Sequence, residues 1–173
     1  DKNFQVYDII HYVSDAQRLW QDVDHPYIVL PNLIEQLKPS EVELERVAGI
    51  IGSVDENKQT HVSIQRALDD GMKKILIYGL ITDKPYFEKC VKPLMLKQKN
   101  RISAMNHCDD KQKMYDYISD VYLSSKSETY GFIDKECEMT GKTFHGTDAT
   151  KNNFKVAMSN EEIINKWLEV IND

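Results

Sequence analysis

The sequence predicts an α/β fold in which a doubly wound parallel sheet carries helices on both faces. Apolar runs recur at Val47–Val54, Lys74–Gly79, Ile102–Met105 and Val121–Leu123, with a helix-length segment between each pair. The first run, VAGIIGSV, is continuous instead of alternating, as expected of a central parallel strand buried on both faces. Glycines punctuate the ends of these runs at Gly52 and Gly79, and Gly131 opens a later helix. Strands that feed helices in this order gather ligand-binding residues at their carboxyl ends. Lys58, Gly79, Asn106, Glu128 and Gly131 are expected to meet there.

Taken in order, Val6–Val13 reads as a strand, Asp15–Asp22 as a short helix capped by Ser14, and Tyr27–Leu30 as a second strand. Residues 32–46 are charged, hold Pro39 and read as a connection. The helix after Val47–Val54 places Ile64, Ala67 and Leu68 on one side. Pro85 starts the next helix, which Pro93 ends or kinks. The loop Asn106–Asp110 follows the third strand, and a helix over Lys111–Tyr117 leads into the fourth. In that loop His107 is a candidate catalytic base, but with no partner visible in sequence it reads as a surface or base-stacking residue. Ser159 and Glu162 form a capping box for a last helix whose apolar stripe is Ile163, Trp167, Val170 and Ile171.

Asp120–Asp148 organises the site. It reads as a buried strand, a polar turn carrying Glu128, a glycine at Gly131, a helix, and a short strand ending near His145. Glu136 falls four residues after Phe132 and three before Met139, on a half-apolar stripe where a carboxylate needs a partner to offset its desolvation. The backbone N–H groups of Gly131, Phe132 and Ile133 lie at a helix N-terminus, a geometry suited to phosphate. A sugar nucleotide fits such a site.

Composition narrows the partners. At 173 residues and 41% hydrophobic content, the chain supports one domain, or one domain with a piece of another. A formal charge of −6 argues against a nucleic-acid or anionic-membrane surface. No apolar run approaches the length of a membrane span, and no secretory signal opens the sequence. Cys90, Cys108 and Cys137 are odd in number and far apart, which suits reduced thiols and a cytoplasmic setting. No CxxC or HxxxH spacing points to zinc.

The run Ser125, Ser127, Glu128, Gly131, Phe132, Glu136, Met139, Gly141, Lys142 resembles the glutamate-pair motif of retaining glycosyltransferases built from two Rossmann-like domains, the GT-B type, in their glycogen-synthase-like and mannosyltransferase-like group. The spacings of Ser125, Glu128, Gly131, Glu136 and Gly141 agree with PSxxEGFGxxxxEAMxxGxPV. The sequence departs from it at Ser124, at Thr129-Tyr130, at Cys137-Glu138 and at Thr143. Gly52 and Lys58 match the glycine and lysine of the family's GR-x-x-x-x-KG element, with Ser53 at the arginine position. Gly79 matches the first glycine of its GDGP turn, and Gly146-Thr147-Asp148 its GTD run. Ser14 and Pro31-Asn32 match elements that close the family's N-terminal half.

The resemblance implies a Rossmann-like C-terminal half, with residues 1–46 as the end of an N-terminal domain and its connection, and 47–173 as the donor-binding domain. It implies a nucleotide-diphosphate sugar as donor, no metal or other cofactor, and an acceptor glycan, lipid or protein held largely by the absent half. The full enzyme would be cytoplasmic, with membrane contact made through that half. Glu128 would contact donor-sugar hydroxyls and Glu136 the nucleotide ribose, while Lys58 would neutralise the diphosphate. The isolated chain is then expected to bind without turnover. Loss of the arginine keeps open a noncatalytic sugar-nucleotide or partner-binding role, and the architecture also admits a nucleotide-sugar epimerase. Asp22-Val23-Asp24 matches the D-x-D metal pattern of the other major glycosyltransferase architecture, but helix-end and turn acids account for it equally well.

Overall fold

The computed structural model describes residues 8–21, 23–42, 44–128, 131–150 and 158–172. The chain divides into two compact units, Asp1–Glu35 with Asn152–Asp173, and Gln36–Lys151.

The second unit is a five-stranded parallel sheet. Its strands are β3 (Val47–Ile51), β4 (Lys74–Tyr78), β5 (Ile102–Asn106), β6 (Asp120–Tyr122) and β7 (Thr143–His145), in the spatial order β5-β4-β3-β6-β7. From β3 the chain steps outward through β4 to β5, then returns to pair β6 with the other side of β3. That reversal is the topological switch point of an open α/β sheet, and ligands bind there outside the carboxyl ends of the strands.

Side-chain alternation along the strands builds two cores. Ile75 and Ile77 point into one, together with Ala48 and Ile50, and pack against Ile64 and Ala67 of α2 (Thr60–Asp69). Leu76 and Tyr78 point into the other, against Met114 and Tyr115 of α5 (Lys111–Asp116) and Cys137 of α6 (Phe132–Thr140). Each fully buried aliphatic contributes about 1.5–3 kcal/mol. Gly49 lies under Ile118, whose Cδ1 would be 2.7 Å from an added Cβ, so glycine lets that side chain settle on the sheet.

The segment after β4 begins as expected. Asp83 accepts a hydrogen bond from Tyr86 N at 3.0 Å and caps α3 (Lys84–Tyr86), with Pro85 in its first turn. Pro93 does not end the helix. A π-helical turn, Phe87–Val91, carries the chain into α4 (Lys92–Lys97), where Pro93 sits in the first turn. Lys92 N bonds to Phe87 O, five residues back, and this widened turn accommodates a proline that has no N–H to offer the helical ladder.

The first unit holds a parallel pair, β1 (Ile10–Tyr12) and β2 (Tyr27–Val29), with α1 (Asp15–Gln21) and α7 (Asn160–Asn172). The part of the expected Val6–Val13 strand before residue 8 lies outside the described residues, as do Asp22, Thr129 and Tyr130. Ser14 Oγ accepts from Gln17 N at 3.2 Å, and Gln17 Oε1 accepts from Val13 N at 2.8 Å, so α1 is reciprocally capped. Ser159 and Glu162 cap α7 in the same way, with contacts of 3.2 and 2.7 Å. The side chain of Asn160 bonds both N and O of Ile34, and Trp167 meets the His11 ring edge-on at 4.8 Å. Of the expected apolar stripe, Ile163 is buried, whereas Ile171 is 73% exposed.

Among the described residues no helix is long and apolar enough to cross a membrane. Nor is there a group of three or more His, Cys, Asp or Glu side chains placed to hold a metal ion.

Candidate functional site: a cleft at the carboxyl ends of the sheet

Backbone geometry shapes the floor. β3 ends at Ile51 because Gly52 takes φ +126°, which L-residues rarely adopt. Gly79 ends β4 at φ +151°, and a Cβ there would stand 1.9 Å from Gly52 O. Gly52 N donates to Tyr78 O at 2.9 Å, and Gly79 N donates to Asn106 O at 3.0 Å. Three strand ends are therefore stitched side by side with no side chain between them. Asn106 reaches its position through a register irregularity of β5 and sits at φ +62°, a left-handed conformation that asparagine tolerates better than most residues. Its role here is through its backbone, and its side chain is exposed.

The wall comes from α6 and α5. Gly131 is the N-cap of α6, and Gly141 ends the helix in the left-handed conformation at φ +71°. Glu136 is buried on this helix. Its Oε1 accepts from Lys111 Nζ at 2.6 Å, and its Oε2 from Tyr115 Oη at 2.8 Å. Lys111 Nζ also lies 5.9 Å over the Phe132 ring. The carboxylate thus has the partner that its apolar surroundings demand. Burial, reinforced by the Glu136 charge, pushes the Tyr115 phenol far above its ordinary range, so it stays a donor. Burial, with the charges of Asp134 and Glu136, also pushes the Cys137 thiol up to about 12. Cys90, Cys108 and Cys137 are all free.

A second cluster stands beside the first glycine. Lys58 Nζ pairs with Glu128 Oε1 at 2.5 Å, and its aliphatic stem passes 3.6 Å from where a Gly52 Cβ would be. Asp55 organises the approach to Lys58. It accepts from Ser53 Oγ at 2.5 Å and from Lys58 N at 2.8 Å. Partial burial raises the Asp55 pKa, but these hydrogen bonds and the Lys58 charge outweigh it and hold the carboxyl below its ordinary value.

The cleft at the switch point has a volume of about 440 Å³, within the range of small-molecule sites. Gly52, Gly79, Phe132, Ile133 and Glu136, all singled out from the sequence, line it. Lys58 and Glu128 do not line it but pair next to Gly52, while Gly131 is buried beneath the start of α6 and Asn106 holds the Gly79 turn. His107 lines the cleft from its rim and pairs with Asp109 at 3.1 Å, both strongly exposed. Sequence reasoning missed Lys111 and Tyr115. They lie 25 and 21 residues before Glu136, and no local periodicity links them to it.

No family model matches the sequence, and no curated protein does. Solved structures do. The pneumococcal O-GlcNAc transferase GtfA, in complex with UDP and GlcNAc, matches with a TM-score of 0.67 at 14% identity, over 97% of this chain and 40% of its own. Anabaena Alr3699/HepE, in complex with UDP and glucose, matches with a TM-score of 0.69 at 15% identity, over 96% of this chain and 54% of its own. AviGT4, a glycosyltransferase involved in avilamycin A biosynthesis, matches with a TM-score of 0.62 at 16% identity, over 83% of this chain and 48% of its own. The chain therefore spans about half the length of these proteins or less. At such identities the likeness is one of fold, and the fold is a Rossmann-like α/β architecture that recurs in part of each of these proteins.

Proposed function

We propose that this chain is the donor-binding domain of a retaining glycosyltransferase, holding a nucleotide-diphosphate sugar in the cleft at the switch point of its sheet. The observation that carries this is the buried Glu136 carboxylate in the wall of a glycine-floored cleft outside the ends of β3 and β4. A buried ion pair adds little net stability. A carboxylate kept there has a natural use as an acceptor for paired hydroxyls, and the ribose supplies two. In this reading Glu136 takes the ribose, and the start of α6 at Gly131, Phe132 and Ile133 faces the phosphates. Glu128 takes donor-sugar hydroxyls, and Lys58 offsets charge growing on the leaving diphosphate. The neighbours solved with UDP support a nucleotide as ligand.

The acceptor site, on this reading, belongs largely to a complementary half, so the chain alone binds donor without useful turnover. Proximity of donor and acceptor is worth roughly 7–11 kcal/mol and is forgone without that half. A noncatalytic sugar-nucleotide binder is the second reading. It is favoured by Ser53, whose hydroxyl is committed to Asp55 where the family carries an arginine.

Calorimetric titration with UDP, GDP and ADP, each with and without EDTA, tests the proposal. Weak, saturable binding of at least one diphosphate that EDTA leaves unchanged is expected. Strict dependence on Mg²⁺ or Mn²⁺ would contradict the metal-free site, and no binding of any of the three would contradict the reading itself.

A further inference from the structure

We propose that Tyr115 makes this cleft selective for ribonucleotides over 2′-deoxyribonucleotides, as a positioning residue that holds the Glu136 carboxylate in the orientation a ribose diol requires. The inference rests on the donor-site reading above and deepens it by naming the class of nucleotide. Two vicinal hydroxyls meet a carboxylate well only when both oxygens face them, one to each, so the plane of the carboxylate matters as much as its charge. The last torsion of the glutamate side chain sets that plane, and this torsion is broad, without the sharp staggered wells of the torsions before it. Packing around the stem of Glu136 therefore does not fix the plane. A directional partner does.

Tyr115 is placed to be that partner. Its Oη donates to Glu136 Oε2 at 2.8 Å. The side chain is fully buried, in the core that also holds Leu76, Met114, Ile118 and Val121, so its ring is fixed by close packing. Its helix, α5, starts from a capped turn in which Asp110 Oδ1 accepts from Lys113 N at 2.9 Å. The phenol oxygen is thus a fixed point on the wall of the cleft, and burial with the Glu136 charge keeps it protonated as a donor. Lys111 Nζ meets the other oxygen, Oε1, at 2.6 Å and balances the charge. A carboxylate has about four acceptor positions, so both oxygens of Glu136, which lines the cleft, have one to offer a hydroxyl. A phenylalanine would fill the same core space as Tyr115. What the tyrosine adds is the bond that orients Glu136.

The test compares a nucleoside diphosphate with its 2′-deoxy form, using whichever of UDP, GDP and ADP the parent chain binds most tightly. The parent should favour the ribose form by roughly tenfold or more. Tyr115→Phe, which removes a single oxygen, should cut that preference at least about threefold while changing affinity for the 2′-deoxy form much less. The preference is a ratio taken within one variant, so a loss of stability felt equally by both ligands cancels from it. Glu136→Gln should lower the ratio too, and Tyr115→Phe/Glu136→Gln should lower it no further, because Tyr115 acts through Glu136. That comparison carries the test even if Tyr115→Phe alone leaves the carboxylate too bare to fold. A parental ratio in Tyr115→Phe, or a further fall in the double variant, would overturn the positioning role while leaving the donor-site reading intact. A parent chain that binds the diphosphate without preferring ribose would overturn the ribonucleotide selectivity alone, and one that binds neither form would overturn both readings.

Discussion

Gly79→Ala is expected to destabilise the chain by at least about 3 kcal/mol, lowering its melting temperature by about 6–12 °C. The added Cβ would sit 1.9 Å from Gly52 O and 2.6 Å from Gly52 C, and both are backbone atoms that no rotamer change can move aside. The φ of +151° adds conformational strain. Relief requires β3 and β4 to part at their carboxyl ends, which breaks the bond from Gly52 N to Tyr78 O. Gly141→Ala is the matched control. It too has positive φ, but a Cβ there meets nothing within 4 Å, so only the left-handed penalty of about 1–2 kcal/mol applies. Urea unfolding of the two variants measures the difference. Equal losses would mean that the Gly52–Gly79 contact does not constrain the cleft floor.

The two glutamates should separate by ligand. Glu136→Gln should weaken free nucleotide binding by about 1.5–3 kcal/mol, a roughly tenfold to hundredfold rise in Kd, because charge-assisted bonds from ribose hydroxyls become neutral ones. The amide keeps an oxygen for Tyr115, but its NH2 then faces the Lys111 ammonium, so the loss includes that of the Lys111 pair. Glu128→Gln should leave free nucleotide binding nearly unchanged and reduce only the discrimination among sugar nucleotides. Its carboxylate pairs with Lys58 beside Gly52, outside the lining of the cleft. Calorimetry on both variants decides this, and equal losses of free-nucleotide affinity would contradict the assigned roles.

Much of this architecture was legible in the sequence because buried parallel strands leave continuous apolar runs and their ends need special backbone. β3 and β4 start where the expected runs Val47–Val54 and Lys74–Gly79 start, but β3 stops three residues short at Ile51 and β4 one short at Tyr78, each at a glycine with positive φ. Glu136 was legible as a carboxylate in need of a partner. Its partners were not, since Lys111 and Tyr115 reach it only once β6 carries the chain to the other side of β3. The π-helical turn was hidden for another reason. Pro93 signals a perturbed helix, but whether the chain breaks or widens depends on packing, and buried Val91 holds it against the sheet. The grouping of α7 with residues 1–35 likewise rests on long-range contacts such as Asn160 with Ile34, which no local pattern announces.

The most direct test of the donor-site reading is amide chemical-shift mapping of the chain during titration with the nucleoside diphosphate that binds best. The predicted result is a set of saturable shifts centred on Gly52, Gly79, Phe132 and Ile133, which line the switch-point cleft. Another cleft of about 390 Å³ is lined by His61, Tyr86 and Lys89. Shifts confined to those residues, with the four cleft amides unmoved at saturation, would contradict the account.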